Sequence, residues 1–201
     1  MRWIPLMALG AVVMTTACSS TKDKSFVQTA PATRIVADDG VSFLPPTGWW
    51  QVHFAGRKPI WLTAEGLDID AFEFRAGLAP DTDFYSSPTK QTAPTDDNTA
   101  LIFRAGMTGE DVMALQLAKL VRQGAHQVRG GDLHPSQFGD VRGFRFRYNF
   151  VDRDGLARQG LALGAIRSGY LDLFTFDAPS LYYFDHLRPA VESALATIHT
   201  P

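Results

Sequence analysis

The sequence has too few cysteines and too little excess charge for several classes of protein. Its single cysteine, Cys18, excludes an intramolecular disulfide and a cysteine-rich zinc site. Lys and Arg number 19 and Asp and Glu 21, so the chain lacks the basic excess of a nucleic-acid-binding protein. Its mean hydropathy of −0.07 excludes a multi-span membrane protein. A chain of 201 residues with 45% hydrophobic side chains instead favours one domain with a sizeable core.

Motifs for catalysis and metal binding are also missing. The chain has no Gly-x-Ser-x-Gly nucleophile elbow, no Gly-x-x-x-x-Gly-Lys phosphate loop and no His-Glu-x-x-His motif. No two histidines have the spacing that places two ligands on one helix face. We therefore predict no catalytic residue, cofactor or metal site. A site assembled from distant segments would have to draw on five histidines, which are His53, His126, His134, His186 and His199.

The N-terminus has the pattern of an export signal. Arg2 precedes an apolar stretch from Trp3 to about Met14, which is shorter than the roughly 18 residues that a membrane-spanning helix needs. The small residues Thr15, Thr16 and Ala17 then lead to Cys18. This pattern resembles a bacterial lipoprotein signal, in which the cysteine is lipidated and becomes the first residue of the mature chain.

The match to the lipoprotein signal departs at Thr15, where the family prefers Leu. The alternative is an ordinary secretory signal that is cleaved near Ala17 and leaves a free cysteine. The resemblance implies an anchor of acyl chains on Cys18 in the bacterial envelope, facing the periplasm. Ser19 resembles the outer-membrane sorting pattern. We expect a signal peptide over residues 1–17, a flexible tether over 18–39 and a globular domain over 40–201.

The mature chain would have little electrostatic attraction to anionic lipid. Without Arg2 it has 18 basic and 21 acidic side chains, a net charge of −3. Stable membrane attachment would therefore depend on two or more acyl chains.

The domain sequence predicts strands that are grouped together and helices that stand apart. Thr108 to about Gln123 has an N-cap residue, acidic residues in its first turn and Gly124 as a stop, which together predict a helix. A second helix is expected from Pro179-Ser180 to Ile198, either kinked at Pro189 or restarted there. Strands are predicted at Val41–Leu44, Trp49–Phe54, Ile60–Thr63, Leu67–Arg75, His126–Leu133, Phe144–Phe150, Leu161–Ile166 and Tyr170–Phe176.

The alternation in Phe144–Phe150 is the clearest strand signal, because aromatic and polar residues take turns along it. Asp154-Gly155 and Ser168-Gly169 predict tight turns on either side of Leu161–Ile166. The chain should therefore be an α+β protein, with helices packed on an antiparallel sheet. A long polar segment, Gly77–Thr99, is expected to be an irregular loop, and such loops are usually functional or disordered.

A family resemblance rests on four features of this domain. They are Pro46-Thr47-Gly48-Trp49 after the first strand, the capped central helix, Gly143-Phe144-Arg145 before the Asp154-Gly155 hairpin, and Tyr183-Phe184 with Val191-Glu192 on the last helix. This pattern is similar to the PsbP-like α/β/α sandwich of photosystem extrinsic proteins and of envelope lipoproteins of the DcrB and LpqN kind. The family consists mostly of binding and scaffold proteins without a shared catalytic centre, so the resemblance transfers no site residue.

Arginines cluster around the predicted hairpin. Arg145 and Arg147 point the same way along their strand, and Arg158 could face them across the ladder. Guanidinium groups fit carboxylates and phosphates, so this set is a candidate site for an anion or an acidic partner. The alternative is a solvated face on which the arginines pair with Asp140, Asp152 or Asp154.

Two further sets of residues are weaker candidates. Asp68 and Asp70 are expected to share a strand face near Glu73, where paired carboxylates could hold a cation or act as acid and base. The alternative is a solvated strand end. Trp49 is expected in the core, whereas Trp50 should point outward and could mark a contact surface.

The leading functional hypothesis is a non-enzymatic envelope lipoprotein that binds a partner protein or a small ligand. The alternatives are an envelope hydrolase, with a site assembled from distant residues, and a structural accessory subunit. A deep pocket that gathers Asp68, Asp70 or a histidine would favour the hydrolase. A groove beside the Gly77–Thr99 loop would favour binding.

Overall fold

The computed structural model describes residues 24–54, 59–84 and 101–201 of the chain. Cys18 and most of the Gly77–Thr99 segment lie outside these ranges. The described elements, in chain order, are β1 Lys24–Gln28, β2 Ile35–Val36, β3 Ser42–Phe43, β4 Trp50–Phe54, β5 Ile60–Thr63, β6 Ala71–Leu78, β7 Thr82–Asp83, β8 Ile102–Phe103, α1 Gly109–Arg122, β9 His126–Phe138, β10 Val141–Val151, β11 Ala157–Arg167, β12 Tyr170–Pro179 and α2 Tyr183–Leu195.

Eight of the strands form one antiparallel sheet in the order β1-β4-β5-β6-β12-β11-β10-β9. The remaining four form two short pairs, β2 with β3 and β7 with β8. Helix α1 lies on one face of the sheet and α2 on the other. The predicted α+β class, with an antiparallel sheet covered by helices, is confirmed.

Each face of the sheet has its own aromatic core. On the α2 face, Phe74 and Phe174 stack with ring centroids 3.9 Å apart, and Phe43 contacts Phe174 edge-on at 5.0 Å. On the α1 face, Phe146 and Tyr148 are buried beside Val112 and Leu120 of the helix. The alternation predicted for Phe144–Phe150 is therefore confirmed, and it extends over the longer strand β10.

The predicted cap and turns are present in the structure. Thr108 and Asp111 form a reciprocal capping box at the start of α1, with the Thr108 backbone N–H donating to the Asp111 carboxylate over 2.7 Å. Gly155 has φ of 86° in the β10–β11 turn. Ser168 and Gly169 both have positive φ, 51° and 85°, as a two-residue hairpin turn of the primed type requires.

The predicted tether is wrong for residues 24–39. Lys24–Gln28 is the edge strand of the main sheet, where Phe26 is paired with Val52 of β4, and Ile35–Val36 pairs with β3. The polar composition of this segment suggested a linker, but an edge strand can be polar because both of its faces are exposed. At most residues 18–23 are left to separate the domain from Cys18.

Three other predicted boundaries shift. Strand β6 begins at Ala71, because residues 67–69 form a turn, and it continues to Leu78 into the predicted loop. Phe84, inside that predicted loop, is fully buried. Strand β12 extends to Pro179 and residues 180–182 form a turn, so helix α2 begins only at Tyr183. Pro189 lies inside α2, and the helix continues through it without a restart.

The second edge strand, β9, is irregular. Its pairing with β10 shifts register at two places, and Gln127 and Asp132 have positive φ values of 51° and 55°. Pro135 also lies in this strand, and proline is tolerated at a sheet edge because its missing N–H faces solvent.

Replacing Phe146 with Ala should lower the free energy of unfolding by about 3–5 kcal/mol, because the ring is fully buried under α1. Urea denaturation monitored by circular dichroism measures the loss. Phe26→Ala is the matched control, since that ring is 52% exposed in β1 and its loss should cost about 1 kcal/mol or less. Equal losses in the two variants would contradict the assignment of Phe146 to the core.

Candidate functional site

An open cleft of about 1010 Å³ lies at one end of the sheet, where β6 extends beyond β5. Ile60 pairs with Phe74, so the later residues of β6 have no partner in β5. Residues 35–39 form one side of this opening, and the β11–β12 turn forms another. The apolar part of the lining comes mainly from Ile35, Ile60, Trp61, Leu78 and Tyr170.

One wall of the cleft is fixed by an arginine held between two carboxylates. The Arg167 guanidinium donates to Asp172 Oδ2 and to Asp39 Oδ2, each over 2.7 Å. The other oxygen of Asp172 accepts from the Gly77 backbone N–H over 2.8 Å. These bonds attach residue 39 of the segment that lines the cleft to β11, β12 and β6.

Asp172 has an unusual protonation equilibrium. Burial, together with hydrogen bonding of the protonated Asp172 carboxyl to the neighbouring Asp39 carboxylate, raises the pKa of Asp172 to about 6. The Gly77 N–H and Arg167 oppose this rise but do not cancel it. Asp172 therefore takes up a proton in mildly acidic solution.

A series of buried charged side chains connects the cleft with the underside of α1. Arg75 lines the cleft and contacts Glu73 Oε1 at 2.5 Å, while Lys119 of α1 donates to Glu73 Oε2 over 2.8 Å. Burial alone would raise the pKa of Glu73, but Arg75 and Lys119 hold it below its ordinary value. Burial also lowers the pKa of Lys119, an effect that Glu73 offsets in part. Glu73 therefore has a structural role, as the counter-ion that attaches α1 to β6.

Trp61 carries an unused hydrogen-bond donor. Its ring lines the cleft, and its Nε1 is buried without an acceptor in the described part of the chain. A buried indole N–H normally has a partner.

The predicted arginine site is not formed by all three residues. Arg145 and Arg147 lie on the α2 face, paired with Leu163 and Leu161, whereas Arg158 is paired with Phe150 and lies on the α1 face. The expectation that Arg158 faces the other two across the ladder is wrong, because Phe150 is its partner in the register and faces α1.

Arg158 is also fully occupied by contacts within the protein. Its Nε donates to Asp177 Oδ1 over 2.9 Å, and Nη2 donates to the Ile69 carbonyl over 2.9 Å. The guanidinium carbon lies 6.0 Å from the centre of the Phe150 ring, and the side chain is buried. Arg158 thus joins the turn before β6 to β11 and β12, and it is a structural residue.

The other two arginines differ in their availability. Arg145 donates through both terminal nitrogens to the Glu192 carboxylate of α2. Arg147 is 51% exposed, with its nearest acid, Asp132, at 3.6 Å. Of the predicted set, Arg147 is the residue that solvent and partners can reach most easily.

The predicted carboxylate pair does not form. Asp68 lies in the turn before β6, whereas Asp70 is fully buried and accepts from the Thr63 hydroxyl and from the backbone N–H groups of Ala64 and Glu65. Burial is the largest influence on Asp70 and raises its pKa. The expectation of a shared strand face is wrong, because the strand begins only at Ala71.

The tryptophans lie as predicted. Trp49 is buried against Phe72 and Phe176, and Trp50 is 40% exposed. All five histidines are exposed. Within the described ranges, no three His, Cys, Asp or Glu side chains are grouped closely enough to hold a metal ion.

Sequence reasoning missed the cleft. Its residues come from the predicted tether, from the end of β6 and from the β11–β12 turn, which are far apart in the chain. Asp38-Asp39-Gly40 was a usable signal, since two acids before a glycine often mark a turn. Arg167 gave no signal, because it directly follows the predicted strand Leu161–Ile166 and belongs to no motif.

Comparisons with known proteins agree with this architecture. No family model matches the chain, and no curated protein matches it. The solution structure of cyanobacterial PsbP (CyanoP) from Synechocystis sp. PCC 6803 is similar with a TM-score of 0.55. The similarity covers 84% of this chain and 92% of that one at 18% sequence identity. The chain therefore has a PsbP-like fold, as its sequence predicted.

Replacing Asp172 with Asn should remove part of the pH dependence of stability. The folded-state pKa of about 6 lies above the ordinary value of 3.8, so between these values the folded state binds more protons than the unfolded state. The contribution of Asp172 to the unfolding free energy is therefore greatest below pH 3.8 and falls as pH rises to about 6. The fall is at most about 3 kcal/mol.

Urea denaturation of both proteins across this pH range measures the effect. The difference in unfolding free energy, wild type minus Asp172→Asn, should decrease as pH rises. Asp140→Asn is the control, since that side chain is 81% exposed and its curve should run parallel to the wild type. A constant difference between the wild type and Asp172→Asn would contradict the raised pKa.

Proposed function

We propose that this protein is a lipoprotein of the bacterial envelope whose PsbP-like domain binds a partner protein or a small ligand in the cleft. The acyl chains on Cys18 would hold it in the membrane, with the domain facing the periplasm and the outer membrane as the expected location. The cleft is the observation that carries the binding role. The pattern from Arg2 to Cys18 supports the anchor.

The chemistry of the cleft favours binding over catalysis. It combines apolar surfaces, such as Ile60 and Tyr170, with the charges of Asp39, Arg75 and Arg167. Ligand sites commonly have this mixture of apolar area and a few oriented polar groups. Its described lining contains neither Asp68 nor Asp70, and no histidine, which were the residues that would have favoured a hydrolase.

The cleft lies beside the start of the long polar segment, and a groove at that place is the feature that would favour binding over hydrolysis. Gly77, Leu78 and Ala79 line it, followed by Thr82 and Asp83. These residues form the start of the segment that was expected to be a long loop, a kind of loop that is usually functional or disordered. A partner or ligand in the cleft would therefore contact both the sheet and this segment.

One observation favours the alternative, an envelope hydrolase. Asp172 has a raised pKa and lies next to Asp39 beside the cleft, and a carboxyl group with a perturbed pKa is typical of acid–base sites. Asp172, however, is fully buried and is bonded to Arg167 and Gly77, so a substrate has no access to it. Binding is the function that this geometry supports better.

The anchor is tested by Cys18→Ser in the bacterium that makes the protein. We expect the variant to leave the membrane fraction or to stay unprocessed, because serine lacks the thiol that is acylated. Fractionation and intact mass measure this outcome. Unchanged fractionation together with unchanged mass would refute the lipoprotein proposal.

The cleft is tested with Thr82→Arg, which places a long side chain at its exposed rim and leaves the core intact. Wild type and variant are used to recover bound proteins and small molecules from solubilised membranes. We expect a bound species with the wild type and at least a tenfold loss with Thr82→Arg, which corresponds to about 1.4 kcal/mol. Thermal melting confirms that the variant is folded.

Arg147→Ser is the matched comparison, since Arg147 is the reachable member of the predicted arginine set and lies outside the cleft lining. The proposal expects this variant to recover the bound species as the wild type does. Loss with Arg147→Ser and retention with Thr82→Arg would assign binding to the β10 arginine face and refute the cleft.

A further inference from the structure

The strand β1 is an exposed edge that carries large apolar side chains. All five of its residues are exposed, including Phe26 at 52% and Val27 at 54%. Trp50, on the adjacent strand β4, is 40% exposed and pairs with Gln28. We call Phe26, Val27 and Trp50 the β1 edge patch. Soluble proteins usually protect a sheet edge with charge or cover, so the two large apolar side chains exposed on this otherwise polar strand indicate a contact surface.

We propose that the β1 edge patch rests in the headgroup layer of the membrane that holds the acyl chains of Cys18. This inference depends on the proposed anchor. The inference adds an orientation of the domain to the proposed anchor. The plane of the sheet is upright on the membrane surface, with β1 in contact with the lipid and β9 as the strand farthest from it.

The length of the connecting chain supports this orientation. Lys24 follows Cys18 by only six residues, which span at most about 22 Å when fully extended. Lys24 is already paired with Phe54, so the connection cannot lengthen without the loss of the β1 ladder. Strand β9 lies seven strand spacings away, roughly 34 Å across the sheet. The β1 edge is therefore the edge that the anchor keeps near the bilayer.

The side chains of the edge suit the headgroup layer. Tryptophan and other aromatic residues are enriched at membrane–water interfaces, where apolar rings and polar groups are both accommodated. The Lys24 ammonium lies 5.3 Å from the centre of the Phe54 ring, so a cation is positioned beside the patch where lipid phosphates would be. A net charge of −3 on the mature chain makes general electrostatic attraction weak, so the contact would be local.

The backbone of β1 limits the depth of the contact. Its outer N–H and C=O groups face away from β4 and have no partner strand in the described ranges. In the headgroup layer, water can hydrogen-bond to both kinds of group and phosphate oxygens can accept from the N–H groups, whereas hydrocarbon can do neither. The edge should therefore lie in the interface and not in the acyl-chain region.

The test uses the acylated protein in phosphatidylcholine–phosphatidylglycerol vesicles. Acylation blocks the native thiol, so a single introduced cysteine can carry an environment-sensitive fluorophore. Phe26→Cys reports on the patch, and Val27→Cys provides a second position in case the first variant folds poorly. Leu181→Cys is the matched control, because Leu181 is 97% exposed next to the end of β12, at the opposite end of the sheet from Lys24.

Vesicles with lipids that carry a quencher near the headgroup should remove most of the fluorescence from a label at position 26 or 27 and little from position 181. Co-flotation of every variant with the vesicles checks the anchor independently. If the proteins float and all three labels stay unquenched, the docking inference is refuted and the anchor stands.

If the proteins do not float, the anchor is refuted and the docking inference falls with it. If labels at positions 26 and 27 are shielded equally in vesicles and in detergent, and the protein has the mass of two copies, the edge pairs with a second chain. That outcome also refutes membrane docking.

Discussion

The central strands of the sheet have buried side chains on both faces, and the rest of the architecture follows from covering both. In β12, Phe174 and Phe176 point towards α2, while Leu171 and Leu173 point towards α1. Neither face can be left to water, because together they bury many large apolar side chains. The helices lie on opposite faces for this reason. Glu73 further constrains where α1 packs on the sheet. A buried carboxylate destabilises the fold unless a cation lies beside it, and α1 provides Lys119.

The sequence predicted the fold well where local patterns and burial agreed. Strand β10 alternates because only one of its faces packs under α1, and the Thr108 cap fixes the start of that helix. The prediction failed for β1, because an edge strand needs no apolar alternation and its polar residues resembled a linker. The prediction also failed at Asp70. In the sequence alone, a carboxylate that accepts hydrogen bonds from the backbone of a neighbouring turn cannot be distinguished from an acidic residue within a strand.

The candidate site was harder to predict than the fold. The cleft depends on Arg167 bridging Asp39 and Asp172, which are far apart in the chain and carry no joint motif. The arginine cluster, by contrast, was conspicuous in sequence but divided in space. Strand register places Arg158 beside Phe150 on one face and Arg145 beside Leu163 on the other. Clustering along a hairpin therefore shows which residues are close, but the register decides which of them share a face.

The two edges of the sheet are unlike each other, and this asymmetry restricts how copies of the chain can associate. Strand β9 has two register shifts and a proline, so it presents a broken row of hydrogen-bonding groups to an incoming strand. Strand β1 is short and regular. Edge-to-edge association would therefore join β1 to β1 by a two-fold axis and then stop, because the outer edges of such a pair would both be β9. Among the described strands, the irregular β9 edge therefore disfavours growth of the sheet into open-ended fibres, whatever the β1 edge contacts.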